Sequence, residues 1–192
     1  YWEDSEAVKE VAETLEAYQG LEGSTKIADT ITNTAYWKDS EAVKKVAEAL
    51  RDPTVLETIK AYQHLKGSTK VIDTITNTAY LYWKDSEAVK EVAETLKTYQ
   101  SLKGSTKIAD TITKTARRYK NSEAVKKVAE ALRDPTVLET IKAYQHLKGS
   151  TKVIDTITNT AYLYWKDSEA VKKVAETLKT YQSLKGSTKI AD

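Results

Sequence analysis

The chain has 192 residues, a formal net charge of +2 and only 39 Leu, Ile and Val with no Phe, a thin supply of large apolar side chains for a single compact globule. It has no Cys, which excludes a disulfide framework, a thiolate nucleophile and a cysteine zinc site. Its longest apolar run, Ala79 to Trp83, is far below a membrane span, and near-neutral charge with strict periodicity argues against disorder.

The first element expected is a helix over residues 5–22. Val8, Val11, Leu15 and Tyr18 form its stripe, Ala7, Ala12 and Leu21 widen it, Ser5 serves as N-cap and Gly23 closes it. The same Ser-Glu-Ala-Val opening returns at Ser40, Ser86, Ser122 and Ser168, so short and long units alternate. The long unit carries an insertion, Arg51 to Lys60, in which Asp52-Pro53 supplies an N-cap followed by proline at the first helical position. Val55, Leu56, Ile59, Tyr62 and Leu65 then make the buried stripe of an additional helix.

The segment after each glycine is ambiguous. Val71 to Tyr80 is rich in β-branched residues, and as a strand it would put Ile72, Thr74, Thr76, Thr78 and Tyr80 on one face. As a helix capped by Ser68 or Thr69 it aligns Ile72, Ile75, Ala79 and Tyr82. Asp73 and Asn77 are poor in a strand interior and no hairpin turn follows, so the helix is preferred and an α/β solenoid is the alternative. Trp37, Trp83 and Trp165, with Tyr119 in the matching fourth place, fall at the turns between units and read as packing anchors; ligand stacking is the competing role.

Residues 119–192 repeat residues 37–110 with three changes, Trp37/Tyr119, Asp39/Asn121 and Glu91/Lys173. Drifting copies diverge first at solvent-facing positions, where most substitutions are nearly neutral, and here even those agree. The pattern indicates a designed or very recently duplicated array. The expected fold is all-α: tandem helical hairpins, alternately of two and three helices, stacked as a solenoid in which each unit touches its neighbours. Its units are 1–36, 37–82, 83–118, 119–164 and a truncated 165–192.

The stretch Val46-Ala47-Glu48-Ala49-Leu50-Arg51-Asp52-Pro53-Thr54-Val55, repeated from Val128 to Val137, resembles the intra-repeat turn of HEAT and armadillo repeats. The short units are similar in length to tetratricopeptide hairpins but lack that family's Trp-x-x-Leu-Gly signature. These resemblances imply an αα-hairpin superhelix and carry over no functional residue, because such families bind through concave-face residues that vary with the partner.

Chemistry is sparsely written. His64 and His146 are one position in two copies and lack a second ligand at helical spacing, so they read as surface or half-buried packing residues and no metal or cofactor is expected. Carboxylates alternate with lysines, as in Glu87/Lys90/Glu91 and Glu123/Lys126/Lys127, which describes a solvated face. Gly-Ser-Thr-Lys only superficially resembles a phosphate loop, since the upstream glycine is missing. Lys114, Arg117, Arg118 and Lys120 form one basic cluster beside Tyr119, but it occurs once, whereas binding along an array wants a repeated cation; nucleic acid is not expected as a partner.

Residues 1–36 hold eight acids against Lys9 and Lys26, a net of −6, which leaves +8 for the remainder. That asymmetry reads as a solubilising cap or as head-to-tail attraction between molecules, the more so because the chain begins with Tyr1-Trp2 and stops at Asp192 inside a unit. The expected function is a structural, self-assembling scaffold without catalysis, its partner being itself and not a membrane; no targeting signal fixes a location. A peptide- or ligand-binding module using Thr74, Thr78, Tyr80, Tyr82 and Trp83 is the alternative.

Overall fold

The computed structural model describes residues 4–182 and Leu184. Among these residues α-helices joined by short turns are the only regular secondary structure. The helices are α1 (Ser5–Ala17), α2 (Ser24–Trp37), α3 (Ser40–Arg51), α4 (Pro53–Ala61), α5 (Ser68–Leu81), α6 (Ser86–Thr98), α7 (Ser105–Tyr119), α8 (Ser122–Arg133), α9 (Pro135–Tyr144), α10 (Ser150–Leu163) and α11 (Ser168–Tyr181). They fall into two compact units, Tyr1–Lys97 and Thr98–Asp192.

In the first unit α1 lies on α3, α2 packs against α3 and α5, and α4 continues from α3 to touch α5. Ile27, Val46, Leu50, Val55, Ile59 and Ile75 are fully buried there. In the second unit α7 packs on α8 and α10, α10 also meets α8, α9 and α11, and α11 lies on α9 and α8. Its core includes Ile108, Ile112, Val128, Leu132, Ile141 and Ile157.

The threonine-rich segments are helices, which removes the α/β alternative. β-Branching lowers helix propensity, yet a helical Thr hydroxyl can donate to the carbonyl one turn back. Thr30, Thr74 and Thr111 donate to Lys26, Lys70 and Lys107, each at 2.8 Å, and Thr34, Thr78 and Thr115 donate in turn to those threonines' own carbonyls at 2.7–2.8 Å. Such hydroxyls can be buried without an outside partner. Thr34, Thr76 and Thr115 are wholly buried.

Five local expectations need correction. The first helix ends at Ala17, not near residue 22, because Tyr18 begins a turn in which Leu21 N–H reaches the Tyr18 carbonyl at 3.1 Å. Asp4 caps α1 in place of Ser5, accepting from the Ala7 N–H at 3.1 Å, and left-handed Gly67, not Ser68 or Thr69, stands at the start of α5. Val8 and Leu15 are each 40% exposed and Leu65 is 39% exposed, so those stripe positions are not core. Trp37 is 70% exposed and touches Tyr36 edge to face at 4.7 Å, so this anchor is not buried, although Trp165 does meet Tyr119 at 5.7 Å. The Asp52-Pro53 junction is as expected: Asp52 accepts from the Thr54 N–H at 2.8 Å and Pro53 opens α4.

One side-chain arrangement recurs in both units. Tyr18, Tyr62, Tyr99 and Tyr144 donate their hydroxyls to the Leu50, Leu96, Leu132 and Leu178 carbonyls at 2.5–2.6 Å. One turn earlier Thr14, Thr58 and Thr140 reach the Ala47, Ala93 and Ala175 carbonyls at 3.1 Å while also bonding their own i−4 carbonyl. Each rung thus ties two helices through main-chain acceptors; Leu50 and Leu132 stand in the last turns of α3 and α8, where the Thr54 and Thr136 N–H groups donate to Asp52 and Asp134, so the tyrosine hydroxyl satisfies a carbonyl that the helix leaves open. In the insertion-bearing parts of the chain the two roles are divided, acceptor on α3 or α8 and donor at α4 or α9; α6 and the turn that follows it carry both.

Candidate functional site

The polar groups inside the helices are committed to packing. Thr74 and Thr78, expected on a ligand face, are buried and bonded within α5, so they do not join Tyr80, Tyr82 and Trp83 at a surface. Tyr80 and Trp83 line two separate shallow grooves, and Tyr82 lines neither. Tyr80 lines one of about 280 Å³ with Lys26, Asp29, Asn33, Trp37 and Asn77, and the Lys38 ammonium sits 4.9 Å from its ring centre. Trp83 lines another of about 370 Å³ with Lys45, Glu48, Asp52, Glu87 and Lys90. Lys84 and Lys45 lie 4.9 and 5.8 Å from its ring centre, so the chain's own cations occupy the π face.

In the second unit Lys114, Arg117 and Arg118 are brought together with Asp110 and Tyr162 around a groove of about 380 Å³. The Lys114 ammonium stands 4.1 Å over Tyr162, and the Tyr119 hydroxyl donates to the Tyr162 carbonyl at 3.0 Å. Lys120 sits apart from that groove as the left-handed C-cap of α7. Both histidines are exposed, and among the described residues no group of three or more His, Asp or Glu could hold a metal ion.

The best-built polar junction was invisible in sequence. The Glu22 carboxylate accepts from the Ser68 hydroxyl at 2.5 Å and from the His64 N–H at 2.9 Å, at the start of α5. Gln63 completes it, accepting from the Glu22 N–H at 2.6 Å and donating to the Glu22 carbonyl at 3.2 Å. These donors, the Ser68 hydroxyl foremost and the His64 amide next, hold the Glu22 carboxyl below its ordinary range. They also hold His64 in the left-handed region at φ 63°, uncommon for a residue with a side chain.

Lys103 occupies the Glu22 position in the second unit, and the junction is lost. His146 is not left-handed, and the Ser150 hydroxyl is buried without a hydrogen-bond partner. Ser68→Ala is therefore expected to cost about 1 kcal/mol, whereas Ser150→Ala should be neutral or stabilising, since it deletes an unsatisfied group. Lys103→Glu should raise the thermal midpoint and make Ser150→Ala costly in that background. Circular-dichroism melts of the four proteins check this, and equal costs at Ser68 and Ser150 would refute it.

Compared with protein-family models, with curated proteins and with solved structures, the chain matches none.

Proposed function

We propose that the protein is a structural scaffold, a designed or recently duplicated tandem array whose two- and three-helix units alternate along one solenoid, with self-association as its activity and no catalysis. The observation that carries this reading is the rung. The same Tyr–Leu and Thr–Ala contacts join helix to neighbouring helix in each unit, and they take up the buried hydroxyls that a reaction centre would otherwise use. The exposed carboxylates support it too, because they are engaged by lysines: Glu57 with Lys97 at 2.6 Å, Glu139 with Lys179 at 2.5 Å and Glu123 with Lys126 at 3.4 Å. Those partners hold Glu57 and Glu139 below the ordinary carboxylate range, opposite to what a general acid at neutral pH needs.

Light scattering over a concentration series tests the proposal; an average mass that rises with concentration, with the helical spectrum unchanged, is expected. The binding-module reading draws on the half-exposed indole of Trp83 between Lys45 and Lys84. Under the scaffold reading Trp83→Ala shifts the melt and abolishes no binding. A panel of acidic peptides that binds the parent and not this variant would favour the module instead.

A further inference from the structure

We propose that the groove of the second unit lined by Lys114, Arg117 and Arg118 is a binding site for a phosphate monoester, the dianionic group of a small phosphorylated molecule or of a phosphorylated side chain. The sequence concentrates its departures from the repeat at this place. Where α2 carries Asn33, Tyr36 and Trp37, and α5 and α10 carry Asn, Tyr and Leu, α7 carries Lys, Arg and Arg. Spaced three and four residues apart, the three cations share one face of α7. In the first unit the matching groove sets one cation, Lys26, against one acid, Asp29, beside the exposed Trp37 ring. In the second unit three cations face Asp110, a net of +2 around a groove of about 380 Å³.

These cations are positioned but short of counter-ions. The Lys114 ammonium stands 4.1 Å over the Tyr162 ring, which is only 8% exposed. Tyr119 holds Tyr162 in place, through its hydroxyl on the Tyr162 carbonyl at 3.0 Å and through its ring at 5.7 Å. Arg117 and Arg118 are exposed, and neither guanidinium has a hydrogen bond or ion pair among the described residues. Other cations of the chain are engaged: Arg51 reaches Glu10 and Glu13, and Lys107, earlier on α7, reaches Asp155 at 2.8 Å. The last turn of a helix favours positive charge, yet like charges at this spacing repel one another. An anion seated in the groove removes that repulsion.

Charge and shape select the anion. A carboxylate brings one charge and two oxygens, which a single guanidinium fork satisfies. A phosphate monoester brings close to two negative charges at neutral pH and three acceptor oxygens, enough for both forks and the ammonium. A nucleic-acid backbone needs cations along a track, and α2, α5 and α10 lack them at the matching places.

Titration with phenyl phosphate at low salt, followed in 1H–15N spectra of the whole protein, tests the site. Saturable shifts confined to the last turns of α7 and to Tyr162 are expected, with benzoate, a monoanion, bound at least about tenfold more weakly. Arg117→Gln and Arg118→Gln should each weaken phenyl phosphate roughly tenfold. Adding Lys114→Asn to both should abolish binding and leave the helical spectrum unchanged, because α2 is helical with uncharged side chains at these places. A short phosphoserine peptide that binds more tightly than phenyl phosphate assigns the group to a partner's side chain; one that binds no more tightly assigns it to a small molecule. The site is overturned by the absence of saturable shifts, by equal binding of benzoate, or by undiminished binding to the triple variant. Cations that serve the helix dipole alone would give that first result together with a lowered melting temperature for the triple variant. A short single-stranded DNA that displaces phenyl phosphate with a salt dependence of several phosphates would overturn it as well, in favour of a track.

Discussion

Tyr99→Ala is expected to lower the stability of the second unit by about 3–5 kcal/mol, and Tyr99→Phe by about 1–3 kcal/mol. The larger loss combines a cavity where a fully buried ring stood with the loss of its hydrogen bond. The smaller loss isolates the hydroxyl, which donates to the Leu132 carbonyl at 2.6 Å. Leu132 stands in the last turn of α8, where the Thr136 N–H one turn on donates to Asp134 at 2.8 Å, so the Phe variant strips this carbonyl of its tyrosine donor with no helical bond to replace it and should fall toward the upper end of its range. Urea unfolding followed by circular dichroism measures both. Equal stability of parent and Phe variant would mean that the rung orients helices without strengthening them.

The same burial makes the rung sensitive to alkali. Desolvation raises the Tyr18 and Tyr99 phenols well above their ordinary value of 10.0. In the unfolded chain these phenols ionise near pH 10, while in the folded chain they stay protonated, so above that pH the native state binds more protons and stability falls as pH rises. The contribution is fully present below pH 10 and is lost as pH climbs through the raised folded value. Each such tyrosine should steepen the loss by about 1.4 kcal/mol per pH unit in that window. Tyr99→Phe should therefore narrow its deficit against the parent as pH rises above 10; an unchanging deficit would count against ionisation of this phenol.

Gly23→Ala is expected to cost on the order of 1–3 kcal/mol for backbone strain alone, because Gly23 sits at φ 91°. A Cβ there would also lie 2.6 Å from Ile72 Cδ1 and 3.1 Å from its Cγ2, so α5 or the Ile72 rotamer must shift. Gly20 separates the two effects, being left-handed at φ 75° with no heavy atom within 4 Å of the place a Cβ would take. Gly20→Ala should carry the strain without the clash. Truncating Ile72 to Ala should recover part of the Gly23→Ala loss in a double-mutant cycle and none of the Gly20→Ala loss. Gly104 repeats the arrangement against Ile154 Cδ1 at 2.8 Å, so the same cycle can be run in the second unit.

Much of this architecture could be read from spacing. The Asp52-Pro53 break, the helix starts at Ser40, Ser86, Ser122 and Ser168, and the apolar positions Ile72, Ile75 and Ala79 follow from local chemistry that a short window contains. The threonine segments were harder, because β-branching favours a strand and the hydroxyl-to-carbonyl bonds that satisfy a buried helical Thr are not marked by any pattern of types. The Glu22 junction was not legible at all: its partners are 41 to 46 residues away, and only the single change to Lys103 hints that the position matters. The expected roles of Tyr1, Trp2 and residues 185–192 lie outside the described residues.

By itself, then, the sequence determined the helix-forming segments and their recurrence, because caps, prolines and apolar periodicity act within a turn or two. Only the tertiary structure decided that Val8, Leu15 and Tyr181 face water while Val43, Leu50 and Tyr144, in matching places, are buried. Burial depends on whether a neighbouring helix covers a face, and identical local sequence cannot encode the presence of that neighbour.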